Sequence, residues 1–276
     1  MDVNDKGDVF VTAHDQVKSN DIRMKKSLGQ NFLKNRSIVR QIVDLIGKDV
    51  LECVEIGPGS GVVTQMLLDQ GHVVHAFEID RRLEEPLQER FGDFTSFRLY
   101  MGDYLKTEIP EELSRREVAV VSNLPYNNAI AIIKKVLTDF SSTKVCVFML
   151  QKEVAQRMVS EPGTKSYGSL SVFMQYHFDI KLALTISPKH FTPQPKVDST
   201  VIKLIPKKGK PLGENPSNFF DFVRQGFRMR RKKLKNNYDF DIMTYASRIG
   251  LGSSVRAEEI SLDQWIRLFE EVKRDG

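Results

Sequence analysis

The sequence predicts an α/β fold: a mainly parallel sheet covered by helices on both faces, with an antiparallel pair of strands at one edge and a small helical domain at the C-terminal end. Short apolar runs alternate with amphipathic segments from residue 37 to residue 150. Two further strand-like runs follow with a proline-rich connection between them, and only helical patterns come after residue 206. A chain of 276 residues exceeds one typical domain, so we expect two compact units.

Each element is predicted from the spacing of its apolar residues. The predicted strands span 51–56, 72–79, 96–101, 118–122, 144–150, 178–186 and 200–205. The predicted helices span 37–46, where Ser37 is placed as the N-cap, 62–67, 81–91, 129–137, 219–227, 241–249 and 262–272. The expected organisation is a loose N-terminal tail over 1–24, an α/β domain over 25–206 and a helical domain over 207–276.

Glycine or polar residues lie at the carboxyl ends of four successive predicted strands, at Gly57, Glu78, Asp103 and Asn123. Because the carboxyl ends of parallel strands meet at one edge of a sheet, we expect these residues to surround one ligand. Gly57 and Gly59 allow a tight turn and a close approach of the backbone. Glu78 is placed to accept both hydroxyls of a ribose, and Asp103 to accept an adenine amino group. The ordered series indicates S-adenosylmethionine as the cofactor.

A glycine turn of this kind is also compatible with the pyrophosphate of a nicotinamide cofactor. Pro58 and the tighter glycine spacing differ from the six-residue pattern that binds a dinucleotide, which makes that reading weaker. For each acidic residue taken alone, a surface or capping role is the alternative.

The tetrapeptide Asn123-Leu124-Pro125-Tyr126 directly follows an apolar strand and predicts chemistry on a flat base with an exocyclic amine. The lone pair of such an amine is delocalised into the ring until its two hydrogens are held out of plane. In this hypothesis Oδ1 of Asn123 and the carbonyl of Leu124 accept those hydrogens, Pro125 fixes the turn, and Tyr126 stacks on the base. The alternative is an ordinary turn after a strand, with a packed tyrosine.

Positive charge is concentrated in two segments of the chain, whose net charge is +5. Residues 203–235 hold eleven basic and two acidic residues, an excess larger than that of the whole protein. A second basic stretch lies between residues 23 and 40. We expect both to contact a nucleic-acid backbone, with solvated helix faces as the alternative. The candidate contacts are Arg228, Arg230, Arg231, Lys232 and Lys233.

Several kinds of site and location are disfavoured by the sequence. Cys53 and Cys146 lie in apolar runs without a close partner, which indicates buried thiols in a reducing compartment. The histidines lack metal-ligand spacing, and no apolar stretch reaches the roughly 18 to 20 residues that cross a bilayer. We therefore expect a cytoplasmic protein that acts as a monomer, without a metal or a membrane contact.

With these residues in hand, the chain resembles the ribosomal RNA adenine dimethyltransferases that modify small-subunit RNA, over nearly everything after Lys25. Two departures are visible, at Ser60, where many relatives carry leucine, and at Asn128-Ala129, where Ile-Ser is common; neither removes a group that the chemistry needs. The matching motifs are Leu28-Gly29-Gln30-Asn31-Phe32-Leu33, Glu55-Ile56-Gly57-Pro58-Gly59, Phe77-Glu78-Ile79-Asp80, Gly102-Asp103, Asn123-Leu124-Pro125-Tyr126-Asn127, Phe148-Met149-Leu150-Gln151-Lys152-Glu153-Val154, Tyr167-Gly168-Ser169-Leu170-Ser171-Val172, Phe191-Thr192-Pro193-Gln194-Pro195-Lys196-Val197-Asp198-Ser199, and Phe227 with Arg230-Arg231-Lys232.

The resemblance implies a Rossmann-like S-adenosylmethionine-dependent methyltransferase fold whose C-terminal helical domain binds RNA. It implies N6,N6-dimethylation of two adjacent adenosines in the 3′-terminal hairpin loop of small-subunit rRNA, within the immature small ribosomal subunit. It also implies that Phe148 supplies a second stacking surface for the target base. By matching position, the residues at the cofactor are Asn31, Leu33, Gly57, Gly59, Glu78, Asp103 and Asn123.

Three other functions stay open. Related antibiotic-resistance enzymes modify a single adenine of large-subunit RNA with nearly the same catalytic domain. A ribosome-assembly or transcription factor can keep the fold without depending on methyl transfer, although the intact Asn123 and Glu78 argue against it. A small-molecule methyltransferase would have an activity that is insensitive to salt concentration. A protein that contacts phosphates instead loses RNA affinity steeply as the salt concentration rises.

Overall fold

The computed structural model describes residues 31–125, 127–214 and 216–275. The strands are β1 (Phe32–Leu33), β2 (Glu52–Ile56), β3 (Val73–Glu78), β4 (Phe97–Met101), β5 (Val118–Asn123), β6 (Val145–Gln151), β7 (Phe178–Ile186), β8 (Phe191–Thr192) and β9 (Ser199–Pro206). The helices are α1 (Arg36–Asp44), α2 (Val62–Asp69), α3 (Glu84–Phe91), α4 (Glu111–Ser114), α5 (Ala129–Asp139), α6 (Lys152–Met158), α7 (Ser169–His177), α8 (Ser217–Gly226), α9 (Ile242–Arg248) and α10 (Leu262–Asp275).

Seven of these strands form one sheet in the order β4-β3-β2-β5-β6-β9-β7. The strands from β4 to β6 run parallel, whereas β9 is antiparallel to both of its neighbours. The predicted parallel sheet with an antiparallel edge pair is therefore confirmed. The strand order reverses direction between β2 and β5, and ligands of open α/β sheets bind at such a point, outside the carboxyl ends of the strands.

Apolar side chains cover both faces of the sheet, as expected for mainly parallel strands. One face carries Cys53 and packs against α1, α2 and α3. The other face carries Cys146 and packs against α5, α6 and α7. Both thiols are buried and unpaired, and burial raises the pKa of each. They therefore behave as small apolar residues, one in each layer.

Helices α6 and α7 and the short strands β1 and β8 occupy segments for which the sequence predicts no element. Val172 and Tyr176 of α7 join a third apolar core with Trp265 and the helices α8 to α10. The C-terminal helices thus share their core with a helix that precedes residue 206. The division into two domains at residue 206 stays a prediction. The third apolar core contains residues from both sides of that boundary.

The first helix begins one residue earlier than predicted, and its cap differs. Oδ1 of Asn35 accepts hydrogen bonds from the N–H groups of Ser37 and Ile38 at 3.0 and 3.2 Å. Asn35 has the extended backbone that an N-cap needs, whereas Ser37 lies within the first turn of α1. The prediction of Ser37 as the cap was wrong for this reason.

Some predictions concern residues outside the described part of the chain. These are the loose tail over 1–24, the Leu28-Gly29-Gln30 part of the first motif, and Tyr126.

Candidate active site

The turn after β2 brings the main chain close to the edge of the sheet. Gly57, Gly59 and Gly61 have positive φ angles of 74°, 58° and 75°. A Cβ atom on Gly59 would lie 2.5 Å from the ring of Phe32, and one on Gly61 would lie 2.5 Å from the ring of Phe91. A Cβ atom on Gly57 would meet no atom of the described residues within 4 Å. Gly57 therefore borders open space, and the other two glycines are required by packing.

Glu78, at the end of β3, is 3% exposed and is bound to the same turn. Its Oε2 accepts a hydrogen bond from the N–H of Gly59 at 3.1 Å, and its Oε1 accepts one from the N–H of Asp80 at 2.8 Å. Burial raises the pKa of this carboxyl, and the two amide donors oppose the rise. The carboxylate is thus fixed in orientation, and each oxygen keeps a lone pair for a further donor.

Asp103 lies beside Glu78 at the end of the next strand. The N–H of Gly102 donates to the carbonyl of Glu78 at 2.7 Å, so the parallel ladder continues to the residue before Asp103. Oδ1 of Asp103 accepts from the N–H of Leu105 at 3.0 Å and so stabilises the turn that follows β4. The structure brings these two carboxylates to neighbouring strand ends, as the sequence predicts.

Asn123 ends β5 and lies level with the glycine turn, because its neighbour Ser122 pairs with Ile56 and donates from Oγ to that residue's carbonyl at 2.5 Å. Its side-chain Nδ2 donates to the carbonyl of Asn31 at 2.7 Å. A carbonyl can only accept, so this hydrogen bond fixes which end of the amide is the donor. Oδ1 of Asn123 is consequently the end that can accept hydrogens from a substrate.

The chain after Asn123 is held rigidly. The N–H of Leu124 donates to the carbonyl of Met149 at 2.9 Å, and the Leu124 side chain is buried. The carbonyl of Pro125 accepts from the N–H of Asn128 at 3.0 Å, which closes a turn before α5. Main-chain atoms at the end of β5 therefore keep a fixed position relative to the Asn123 amide.

Phe148 is not brought to this site. It has 0% exposure and packs among the apolar residues on the face of the sheet that carries Cys146. A base cannot stack on a ring that is enclosed on every side, so the geometry disagrees with the predicted stacking role. The other predicted stacking residue, Tyr126, lies outside the described residues.

A cleft, called here the central cleft, opens at the switch point of the sheet. Glu78 lies beyond it and is bound to the glycine turn through the N–H of Gly59, whereas Asp103 lies just after the end of the neighbouring strand β4. Six of the residues that line it are Asn31, Leu33, Glu55, Gly57, Asn123 and Met149. The predicted residues Asn31, Leu33, Gly57 and Asn123 are thus gathered in one place.

Glu55 is a residue of the central cleft to which the sequence analysis assigned no role. Its carboxylate is buried and accepts a hydrogen bond from Oγ1 of Thr64 at 2.6 Å. Desolvation by burial, aided by the nearby charge of Glu78, raises the pKa of Glu55 to about 7 although the Thr64 hydrogen bond opposes the shift. An acidic residue two positions before a glycine turn, within an otherwise apolar strand, is the sequence signal that marks it.

Strand β1 forms a wall of the cleft and was also missed, because two residues are too short for any periodicity. It pairs with β8, with Phe32 opposite Thr192 and Leu33 opposite Phe191. The ring of Phe32 packs where a Cβ of Gly59 would lie. The motif residues around 191 therefore hold the first motif against the glycine turn.

The basic residues near the C-terminal end form what we call the basic segment, residues 228–233. Its members Arg228, Arg231, Lys232 and Lys233 are exposed. Arg230 is only 37% exposed and pairs through Nε with Oε2 of Glu258 at 2.9 Å. The structure therefore separates one of the five predicted RNA contacts from the other four.

Metal and membrane sites were sought among the residues that the structure describes. No group of three or more His, Cys, Asp or Glu side chains there is arranged to hold a metal ion. Over the same residues, no helix is both long and apolar enough to cross a bilayer.

Comparison with known proteins gives one consistent result. A family model described as ribosomal RNA adenine dimethylase matches residues 22–274. The chain belongs to the ribosomal RNA adenine dimethylase family. It is 37% identical to "Ribosomal RNA small subunit methyltransferase A" of Sulfurihydrogenibium sp. over 93% of this chain and 99% of that protein. It is 40% identical to the protein of the same name from Francisella tularensis over 89% of this chain and 96% of that protein.

Solved structures show the same fold. A dimethyladenosine transferase from Plasmodium falciparum matches with a TM-score of 0.75 and 23% identity, over 89% of this chain and 98% of its own. The 23S rRNA methyltransferase ErmE matches with a TM-score of 0.68 and 24% identity, over 88% and 99%. The predictions of family, methyltransferase fold and enzyme class are confirmed. The roles of single residues stay predictions.

Proposed function

We propose that this protein transfers methyl groups from S-adenosylmethionine to N6 of two adjacent adenosines in the 3′-terminal hairpin loop of small-subunit rRNA, giving N6,N6-dimethyladenosine. The observation that carries the proposal is the hydrogen bond from Asn123 to the carbonyl of Asn31, which assigns Oδ1 of Asn123 as an acceptor beside the central cleft. An acceptor at this place suits an adenine amine, whose two hydrogens are donors.

Asn123 and Leu124 act on the amine by accepting its hydrogens. When Oδ1 of Asn123 and the carbonyl of Leu124 hold both hydrogens out of the ring plane, the nitrogen lone pair is no longer shared with the ring. Asn123 is neutral and removes no proton, so rate enhancement comes from orientation and from electrostatic stabilisation of the positive charge that develops on the nitrogen. Pro125 keeps the carbonyl of Leu124 in place, and Tyr126 would stack on the target base.

The cofactor supplies the methyl group when it is bound. Gly57 borders open space, so a bound cofactor could lie close to the main chain of the glycine turn. Glu78 would hold the ribose hydroxyls, Asp103 the adenine amine, and Asn31 and Leu33 the wall of the cleft opposite the turn. The carboxyl groups of Glu55 and Glu78 lie near the proposed path of a cofactor that carries a sulfonium cation, and such a cation would favour their ionised forms.

The RNA would be held by exposed basic side chains at two places. Arg228, Arg231, Lys232 and Lys233 form one, and the other is formed by Lys34, which follows β1, with Arg36 and Arg40 of α1, all three exposed. Phosphate contacts of this kind make the affinity fall steeply with salt. Two buried free thiols fit a reducing compartment, and we propose that the enzyme works in the cytoplasm on immature small subunits.

The large-subunit alternative is less supported. Both curated relatives described above are named for the small subunit, and the likeness to ErmE is one of fold. Primer extension on both RNAs after incubation with the enzyme decides: stops at two adjacent adenosines of the small-subunit hairpin are expected, and a stop only in large-subunit RNA would refute the proposal.

The test of the site is the Asn123→Ala variant, with radiolabelled S-adenosylmethionine and undermethylated small subunits. Loss of one preorganised acceptor should slow methyl transfer by roughly 100-fold or more. RNA affinity should stay within about twofold, because no phosphate contact is removed. Asn128→Ala is the matched control, since that asparagine is exposed and its side chain makes no cap hydrogen bond. Unchanged transfer by Asn123→Ala would reject the assigned role.

A further inference from the structure

Arg230 is bonded differently from the other cations of the basic segment. Its Nε donates to Oε2 of Glu258 at 2.9 Å, and its Nη2 donates to the carbonyl of Thr164 at 3.2 Å. The other four basic residues of the segment form no ion pair with a carboxylate of the described residues. The guanidinium of Arg230 is therefore already engaged on two sides before any RNA arrives.

The two partners of Arg230 belong to parts of the chain that also bind each other. The N–H of Gly163 donates to the carbonyl of Glu258 at 2.6 Å. The hydroxyl of the fully buried Tyr167 donates to the carbonyl of Ile260 at 2.8 Å. Arg230 thus adds the basic segment to a junction between the loop 159–168 and residues 257–260.

The loop 159–168 is connected to the candidate active site through helix α6 and strand β6. It follows α6, which begins at Lys152, immediately after the last residue of β6. Met149 of β6 accepts the hydrogen bond from the N–H of Leu124, beside Asn123. Gly163 and Thr164 of the junction therefore follow Met149 by 14 and 15 residues of continuous chain.

The basic segment is also fixed at both ends of its turn. The N–H of Met229 donates to Oδ1 of Asn237 at 2.6 Å, and the N–H of Leu234 donates to the carbonyl of Val255 at 2.8 Å. These bonds hold the segment on the C-terminal helices. Among the described residues, the only hydrogen bond from the segment to the loop after α6 is the one from Arg230 to the carbonyl of Thr164.

We infer that Arg230 is a positioning residue rather than a phosphate contact. Its guanidinium fixes the basic segment relative to the loop after α6, so that RNA held by Arg228, Arg231, Lys232 and Lys233 is presented to Asn123 in the correct place. The inference rests on the proposed function, because it takes RNA as the substrate. A planar fork with several donors can bind Glu258 and the Thr164 carbonyl together, which a lysine ammonium on a flexible stem does poorly.

Turning Arg230 towards a phosphate would break this junction. Glu258 is only 24% exposed, so its carboxylate would be left partly desolvated and without its cation. The carbonyl of Thr164 would lose a donor as well. The exposed residues Arg228, Arg231, Lys232 and Lys233 can contact phosphate without breaking such bonds.

The test compares Arg230→Ala and Arg230→Lys with Arg231→Ala, the adjacent exposed arginine. RNA affinity is measured at several salt concentrations, and methyl transfer is measured in single turnovers at saturating RNA. A lost phosphate contact reduces the slope of log affinity against log salt by about 0.7 to 0.9. We expect that reduction for Arg231→Ala and a wild-type slope for both Arg230 variants. Displacement of the bound RNA should slow transfer about tenfold in the Arg230 variants.

Glu258→Gln supplies an independent check, because it removes the anion and leaves the arginine. It should slow transfer as Arg230→Ala does, and the double variant should be no slower than either single variant. A reduced salt slope for Arg230→Ala, with wild-type slope and rate for Arg230→Lys, would overturn the inference. If alanine at 230 prevents folding, a wild-type transfer rate in Arg230→Lys and Glu258→Gln overturns it, and slowed transfer at unchanged slope supports it.

Failure of the proposed function looks different. In that case the wild-type protein would not methylate small-subunit RNA. Arg231→Ala would also leave the slope of log RNA affinity against log salt unchanged.

Discussion

At the scale of single residues, the chemistry depends on side chains whose orientation is fixed by main-chain partners. Asn123 donates to the carbonyl of Asn31, and Glu78 accepts from the N–H of Gly59. The side-chain oxygens of both residues can still accept a hydrogen bond from the substrate or the cofactor. Preorganisation of this kind spares the site from reorganising during the reaction.

Glu55 should make stability fall with pH. Its pKa is raised to about 7 in the folded protein, against an ordinary value of 4.5 for a glutamate, so the folded state holds a proton that the unfolded state releases between these values. The free energy of unfolding therefore declines as pH rises from about 4.5 to 7, by up to about 3 kcal/mol. Glu55→Gln should remove this decline. Urea denaturation at pH 5, 6, 7 and 8 checks it, and parallel curves for both proteins would contradict it.

Gly59→Ala should weaken cofactor binding through the ring of Phe32. Positive φ costs an alanine about 1 to 2 kcal/mol, and the new Cβ would lie 2.5 Å from that ring. Gly71→Ala is the control, because Gly71 also has positive φ but open space around its Cβ. Melting temperatures should fall in both variants, and calorimetric titration should show lower S-adenosylmethionine affinity only for Gly59→Ala. Equal affinities would show that Phe32 does not shape the cleft.

At the scale of elements, the ends of strands place the site, and short elements complete it. The glycine turn, Glu78, Asp103 and Asn123 were predictable because each follows an apolar run long enough to be recognised as a strand. Strands β1 and β8 were not, since a two-residue strand has no period and its pairing joins positions far apart in sequence. The role of Phe148 came from the family resemblance alone, and the local sequence does not show that its ring is enclosed in the apolar layer between the sheet and its helices.

Asn35→Ala should destabilise the protein by about 1 kcal/mol, because α1 loses its N-cap. Ser37→Ala should change stability by less than about 0.5 kcal/mol, since Ser37 is exposed and its side chain caps nothing. Equilibrium urea unfolding of the two variants measures the difference. A larger loss for Ser37→Ala would restore the sequence-based assignment of the cap.

At the scale of the whole molecule, the shared third core couples the sheet to the C-terminal helices. The predicted boundary at residue 206 came from a proline and a polar loop, which indicate a break in secondary structure but carry no information about packing. Val172 and Tyr176 precede that boundary and pack with Trp265 beyond it. Long-range packing of this kind leaves no trace in local periodicity, so the common core could not be predicted from the sequence.

Unfolding should therefore be a single transition. Trp265 is the one tryptophan of the chain and lies in the third core, so its fluorescence reports the helices, whereas far-ultraviolet circular dichroism reports the whole protein. The two urea curves should coincide. Tyr167→Phe removes the buried hydrogen bond to the carbonyl of Ile260 and should shift both together by about 1 to 2 kcal/mol. Separate midpoints would show two independent units.

The two cysteines lie on opposite faces of the sheet, so their rates of alkylation report how often each helix layer opens. An alkylating reagent reaches Cys53 only when the layer of α1 to α3 lifts away, and reaches Cys146 only when the layer of α5 to α7 does. Mass spectrometry of the modified peptides over time would then show which of the two helix layers opens more often, without any introduced label.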